Sequence, residues 1–333
     1  MYQPPYNLTT TIVRQVAAIG EALGRLSAQW ERGGDLRLRR ANRIRSVQGS
    51  LAIEGNTLTE AQITAILDGR RVIAPPREIQ EVRNALAAYD RLAAWRPERE
   101  ADLLAAHGVL MSGLLDEAGA WRRGGVGVMA GDRVIHMAPQ AHRVPGLMLD
   151  LLGWLAATDE HPLIASSVFH YEFEFIHPLT DGNGRIGRLW QTLILSRWQP
   201  VFADLPVESL IHAHQAEYYQ AIQDATAGAD SAPFIEFMLR MIHDALKAGA
   251  PQAAPQAAPQ VTPQVEKLIS ILAGEMSRDE LMAALNLHDR KSFRERYLAP
   301  ALADGLIEMT RPAMPKSPTQ RYQLTEIGLR IRT

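Results

Sequence analysis

The chain of 333 residues contains no cysteine, which excludes disulfides, thiolate metal centres and a cysteine nucleophile. It has no apolar run approaching the roughly 20 residues that span a bilayer. The opening M-Y-Q-P-P-Y carries no basic region followed by a hydrophobic stretch, so no membrane contact and a cytoplasmic location are the expectations. Charge of one sign is lacking too: 35 Lys/Arg stand against 37 Asp/Glu, a formal net charge of −2. That balance argues against a protein drawn to polyanions as a whole. Alternating β-prone runs are scarce before residue 248 and helical periodicity dominates, which predicts a mainly α body. An apolar fraction of 47% with 22% charged residues is that of an ordinary globular protein, long enough for one large core and a smaller one. His107, His136, His142, His161 and His170 are scattered without ligand spacing, so each reads as a core or surface histidine rather than a metal ligand.

Residues 248–264 repeat Pro-Gln-Ala-Ala with no apolar period, which reads as an extended, semi-rigid spacer. It divides the chain into an N-terminal helical region (1–97), a core (98–247), the spacer (248–264) and a small final domain (265–333). In the last, V-E-K-L-I-S-I-L-A-G reads as a helix, and Ser277 with Glu280 forms a capping box opening a second. A third helix from His288 and two β-prone runs, L-I-E-M-T and R-Y-Q-L-T, complete it. From Glu266 onward there are 11 Lys/Arg against 9 Asp/Glu, with Arg290, Lys291, Arg294 and Arg296 gathered on the third helix.

The most informative stretch is H-P-L-T-D-G-N-G-R-I-G-R at residues 177–188, followed by an apolar helical pattern at Ile186, Leu189, Trp190, Leu193 and Ile194. A glycine-rich turn that opens a helix leaves backbone N–H groups pointing outward, and an anion is their natural partner. Arg185 and Arg188 add guanidinium forks suited to phosphate oxygens. Asp181 is a hard oxygen ligand of the kind that holds magnesium beside phosphates. His177 is the group here whose ordinary titration range lets it take a proton from an attacking hydroxyl near neutral pH.

This stretch resembles the active-site motif of Fic-domain proteins, H-P-F-x-D/E-G-N-G-R-x-x-R, with Leu179 where the family usually has Phe. The resemblance implies a Fic helical core with a β-hairpin flap, and a protein adenylyltransferase that moves AMP from ATP to a Tyr, Thr or Ser hydroxyl of a target protein, with its own chain among the candidate targets. His177 would be the base and Asp181 the ligand of Mg2+. Gly182, Asn183, Gly184, Arg185, Ile186, Gly187 and Arg188 would hold the nucleotide. Related phosphotransferases carry Lys at the place of Gly184, so Gly there implies nucleotidyl rather than phosphoryl transfer.

Upstream, S-L-A-I-E-G at residues 50–55 matches the inhibitory pattern of regulated Fic proteins. Ser50 and Glu54, four residues apart, fall on one helical face, and the resemblance implies that Glu54 pairs with Arg188. Gly55 and Asn56 are ordinary helix stops. The Arg-rich run Arg37, Arg39, Arg40, Arg43, Arg45 reads as a solvated helix face. Residues 101–125 read as an apolar helix closed by a Gly-containing turn, and two β-prone runs around Ala130-Gly131-Asp132 predict a hairpin. By resemblance that hairpin, with Val134, Ile135 and His136, is the flap that docks the target as an added strand. Tyr219 is the expected base or ribose contact. The final domain resembles a winged helix, which makes DNA a partner to weigh, and a homodimer is a family habit. Two rival readings stay open: a hydrolase that removes AMP with the same site, and a nucleotide-sensing DNA-binding regulator.

Overall fold

A computed structural model describes residues 2–30, 36–125, 127–130, 133–249, 263–287, 289–303, 306–310, 317, 319–325 and 328–329. The chain divides into two compact units, 1–252 and 253–333.

Among the described residues, the regular elements of the first unit are helices and one hairpin. Helices α1 (Thr10–Trp30), α2 (Leu36–Ile53), α3 (Glu60–Leu67), α4 (Pro76–Asp90) and α5 (Glu100–Leu110) precede strands β1 (Gly127–Ala130) and β2 (Arg133–Met137). Then come α6 (Val144–Ala157), α7 (Pro162–Ile176), α8 (Asn183–Trp198), α9 (Val207–Ala213), α10 (Gln215–Gly228) and α11 (Ala232–Gly249). The apolar run at 101–125 is helical only to Leu110; turns occupy the rest, and Gly113 and Gly119 take positive φ there. Among the described residues no helix is long and apolar enough to cross a membrane.

The pair α7–α8 forms the centre. Leu163 through Glu174 are all buried on α7, as are Arg185 through Leu195 on α8, so both helices are enclosed on every side rather than along one stripe. The pair crosses closely because α8 has glycine at 187. A Cβ there would lie 2.8 Å from Glu174 Oε1 and 2.9 Å from His170 Cδ2. His170 bolts the crossing: its Nδ1 is 2.6 Å from Gln191 Oε1 and its Nε2 is 3.2 Å from Tyr218 Oη. Burial draws its pKa down to about 3, so the ring is neutral. His161 caps α7, its Nδ1 accepting from the Leu163 N–H with Pro162 at the first helical position.

Helix α2 reaches this centre by resting on α9. Gly49 makes the approach: a Cβ would stand 2.5 Å from the Ser209 amide nitrogen. The arginine face of α2 is partly exposed and paired, Arg39 with Asp204, Arg40 with Asp68, Arg43 with Asp90 and Arg45 with Glu60.

The second unit carries α12 (Pro263–Ile271), β3 (Met276–Ser277), α13 (Arg278–Ala284), α14 (Arg290–Phe293), a π-helical turn (Arg294–Leu298), α15 (Ala299–Ala303), β4 (Ile307–Met309) and β5 (Arg321–Leu324). The capping box forms, Ser277 Oγ accepting from the Glu280 N–H and the Glu280 carboxylate from the Ser277 N–H. The sheet order is β3-β5-β4, antiparallel throughout, with Tyr322 opposite both Met276 and Met309. Strand β3, two residues long, is absent from the sequence reading because so short a run has no period. Val265, Leu268, Leu272, Leu281, Phe293, Leu306 and Tyr322 build this unit's own core. The spacer between the units falls almost wholly outside the described residues.

Candidate active site

The site is the turn between α7 and α8. His177 ends α7 in the left-handed region, φ 50° and ψ 59°, and Gly182, φ 83°, opens α8. Between them the loop is closed by Asn183, whose Oδ1 accepts from the Leu179 N–H and whose Nδ2 donates to Leu179 O, both at 2.9 Å. Leu179 itself is fully buried. The Asn183 side chain is thus spent on the loop, which leaves the outward amides of the first turn of α8 to face a ligand.

His107 holds the loop from below. Its Nδ1 accepts from the Gly119 N–H at 2.9 Å, so the ring proton sits on Nε2, which donates to Asp181 O at 3.0 Å. Burial draws its pKa below the ordinary histidine value. The Asp181 carboxylate stays partly exposed: Oδ1 accepts from the Gly182 N–H at 2.6 Å and from Arg185 Nη2 at 3.0 Å. Arg77 Nη2 stands 3.5 Å from Oδ2, and Arg185 also lies 3.7 Å from Glu81 Oε1. Among the described residues no three His, Asp or Glu side chains converge to hold a metal. One exposed carboxylate fits magnesium of the kind that takes most of its ligands from phosphates and water.

The floor of the site is Arg188, whose side chain is 1% exposed. Its Nε donates to Ser50 Oγ at 3.1 Å, and Nη2 donates to Ser50 O at 3.0 Å and to Glu54 Oε1 at 2.7 Å. Burial is the largest single influence and works against this charge, but Glu54, Tyr218 and Glu174 together outweigh it and hold the pKa above the ordinary arginine value. Glu54 sits in the turn just past the end of α2, followed by Gly55 at φ 89°. Its Oε1 lies 2.4 Å from where a Cβ on Gly184 would stand. A carboxylate therefore rests against the first turn of α8, where the sequence leads one to expect an anion.

Glu174, one turn before His177, was missed by the motif reading. It is buried between His170 Nε2 at 3.8 Å and His177 Nδ1 at 3.9 Å, and its Oε1 has no hydrogen-bond partner. Burial pushes its carboxyl up to about 8; Arg188 opposes that and Glu54 adds to it. Arg77 and Glu81 on α4 and His107 on α5 were missed as well. They come to the loop from distant sequence, and only the fold brings them there.

Of the adjacent tyrosines, Tyr218 is buried against Phe234 and Phe237, while Tyr219 lies at the margin and its hydroxyl accepts from Gln215 Nε2 at 3.4 Å. Gln215 also donates to Ile53 O at 2.9 Å, capping the end of α2. The hairpin is antiparallel, with Val128 opposite His136 and Met129 opposite Val134, so Ile135 is the extra residue of a bulge. Its turn at Gly131-Asp132 lies outside the described residues, as do the side chains of Val134, Ile135 and His136.

Two family models match the chain: that of the Fic/DOC family over residues 97–195, and that of the Filamentation induced by cAMP protein Fic-like, C-terminal domain, over residues 263–325. A crystal structure of a Fic family protein from Desulfovibrio desulfuricans G20 is 55% identical, with a TM-score of 0.76 and coverage of 98% of this chain and 99% of that one. The chain is 33% identical over 208 residues to protein adenylyltransferase fic-1 of Caenorhabditis elegans, and 31% over 219 residues to protein adenylyltransferase Fic of Culex quinquefasciatus. Those matches cover 58% and 61% of this chain but only 38% and 41% of the relatives' own length.

Proposed function

The chain belongs to the Fic family, and from that premise we propose that it is a protein adenylyltransferase held in check by Glu54. His177 takes the proton from a hydroxyl of a target protein. The freed oxygen attacks the α-phosphorus of ATP, the bond to the β-phosphate oxygen breaks, and pyrophosphate leaves. The protein's part is placement: a base beside the nucleophile, amides of α8 and two guanidinium forks where the leaving group gathers charge. Mg2+ held at Asp181 would supply further positive charge beside the phosphates.

One observation carries the inhibitory half of this reading: the Glu54 carboxylate occupies Arg188 at 2.7 Å and rests over Gly184. An outer phosphate needs the same guanidinium and the same amides, so the two anions compete for one seat. Glu54 is also a third exposed, which leaves it a path out toward solvent.

Replacing Glu54→Gly should raise incorporation of label from ATP tagged on the α-phosphate by an order of magnitude or more, about the 1.4 kcal/mol that a tenfold change represents. His177→Ala in the same background should abolish incorporation while ATP still binds. No rise with Glu54→Gly removes the inhibitory assignment. Release of AMP from a modified protein by the wild-type chain, lost in Glu54→Gly, would turn the reading to a hydrolase that uses Glu54 to align water.

A further inference from the structure

Arg122 lies between α5 and β1 and is 3% exposed. A buried guanidinium ordinarily sits against a carboxylate, but the hydrogen bonds of this one run to main-chain carbonyls. Its Nε donates to His177 O at 2.7 Å, and Nη2 donates to Ile176 O at 3.3 Å and to Pro139 O. Nη1 donates to Gly124 O at 2.8 Å, and the Arg122 N–H donates to Pro178 O at 2.9 Å. Burial alone moves its pKa, downward.

The five acceptors fall into two groups. Gly124 and Pro139 flank the hairpin, one before β1 and one after β2. Ile176, His177 and Pro178 are the end of α7 and the start of the loop. Left-handed backbone costs a non-glycine residue on the order of 1–2 kcal/mol, and such a conformation persists only where the surroundings over-determine it. At His177 the carbonyl of the strained residue and that of its successor are both held by Arg122.

We propose that Arg122 is a positioning residue that couples the β1–β2 hairpin to the backbone of His177, so that one guanidinium sets both the hairpin's ends and the strained turn carrying the imidazole. A strand laid along the hairpin then presents its hydroxyl at a distance from the imidazole that the guanidinium fixes. The planar fork suits the task because its donors diverge at set angles, whereas an ammonium could reach only some of the same carbonyls. The consequence for turnover rests on the adenylyl-transfer reading; the coupling itself does not.

The test uses the full chain in the Glu54→Gly background with Arg122→Ala and Arg122→Lys. Backbone hydrogen exchange is followed across residues 127–137 and 177–182 without nucleotide, then kcat and KM for ATP are measured with α-labelled ATP. With Arg122→Ala, exchange should quicken in both segments together, and kcat should fall by roughly 100-fold, the scale of a misplaced reacting group. KM for ATP should hold within about 2-fold, since the phosphate seat is not touched. Arg122→Lys should restore part of the loss in both readouts, and it decides the matter if the alanine variant fails to fold. Quickening in one segment alone, an unchanged kcat, or a loss confined to KM overturns the proposal. If the parent transfers no AMP at all, the functional reading fails while the exchange arm still judges the coupling.

Discussion

Arg185 and Arg188 stand one turn apart on α8 and both are buried, yet they are held by different neighbours. Arg185 belongs to the mouth, braced by the partly exposed Asp181 at 3.0 Å and by Glu81 at 3.7 Å. Arg188 belongs to the floor, enclosed by Ser50, Glu54 and the neighbouring Glu174. The mouth is wet on the side of Asp181 and Arg77, so solvent and salt screen its charges. On the floor the guanidinium itself is 1% exposed, so its charge depends on its protein neighbours. The lesson is that one sequence motif supplies a replaceable brace and an indispensable counterion. Among the described residues, the hydrogen bonds from Ser50 and Glu54 reach Arg188 and not Arg185.

The sharpest way to break this comparison is to remove each guanidinium in turn. Arg188→Ala removes a side chain that is 1% exposed and leaves Glu54 and Ser50 without its donors, which should cost about 2–5 kcal/mol, mainly as the cavity left behind. Arg185→Ala should cost less, about 1–2 kcal/mol, because Asp181 keeps its bond from the Gly182 N–H at 2.6 Å and its path to solvent. Denaturant unfolding of both variants checks the order. Equal losses would mean that mouth and floor are not distinct.

Much of this geometry was legible beforehand, for a physical reason. The residues from His177 to Arg188 are contiguous, so an amide nest and a helix start are written locally, whereas the left-handed backbone at His177 shows only in the fold. Ser50 and Glu54 were legible as a helical pair, and their arrival at Arg188 followed from resemblance rather than from spacing. What stayed hidden is what arrives from elsewhere. Arg77 and Glu81 come from α4, His107 from α5, and Arg122 looks from sequence like any polar residue in a turn. Glu174 was hidden differently: it sits next to the motif, but nothing local shows that Gly187 lets α8 press it into a closed space. The mainly helical body and the final unit's helices were readable from periodicity, whereas the two-residue strand β3 has no period to read.

The second prediction turns on the two glycines of α8. A methyl at 187 would meet Glu174 Oε1 at 2.8 Å and His170 Cδ2 at 2.9 Å, in a crossing where neither can withdraw. Gly187→Ala should therefore cost about 1–3 kcal/mol as overpacking. A methyl at 184 would meet Glu54 Oε1, the far end of a side chain with a route to solvent, and the tip of the Arg188 guanidinium, Nη1 at 2.9 Å. Gly184→Ala should cost under about 1 kcal/mol, offset in part by the better helix propensity of alanine. Thermal unfolding ranks the pair. A Gly184→Ala variant as unstable as Gly187→Ala would show that Glu54 is locked in place, and the competition with phosphate would lose its basis.

A third effect is gradual, a slope with pH. Glu174 is pushed up to about 8 by burial, from an ordinary value near 4.5, so the folded chain prefers its neutral form. A carboxyl raised in this way contributes its full stability below pH 4.5 and loses it as pH climbs toward about 8. His170 leans the other way: its neutral ring, held down to about 3, gives stability that fades as pH falls below the ordinary histidine range. The net curve mixes the two, so the informative quantity is the difference between the wild-type chain and Glu174→Gln. Across pH 5 to 7.5 that difference should move in favour of the glutamine variant by roughly 1 kcal/mol per pH unit, the weight of one titrating proton. Arg188 holds the carboxyl down and Glu54 pushes it up, so placing both chains in the Glu54→Gly background should end the slope at a lower pH. A flat difference between wild type and glutamine variant would mean that Glu174 is already ionised in the folded chain, and that the floor is as well solvated as the mouth.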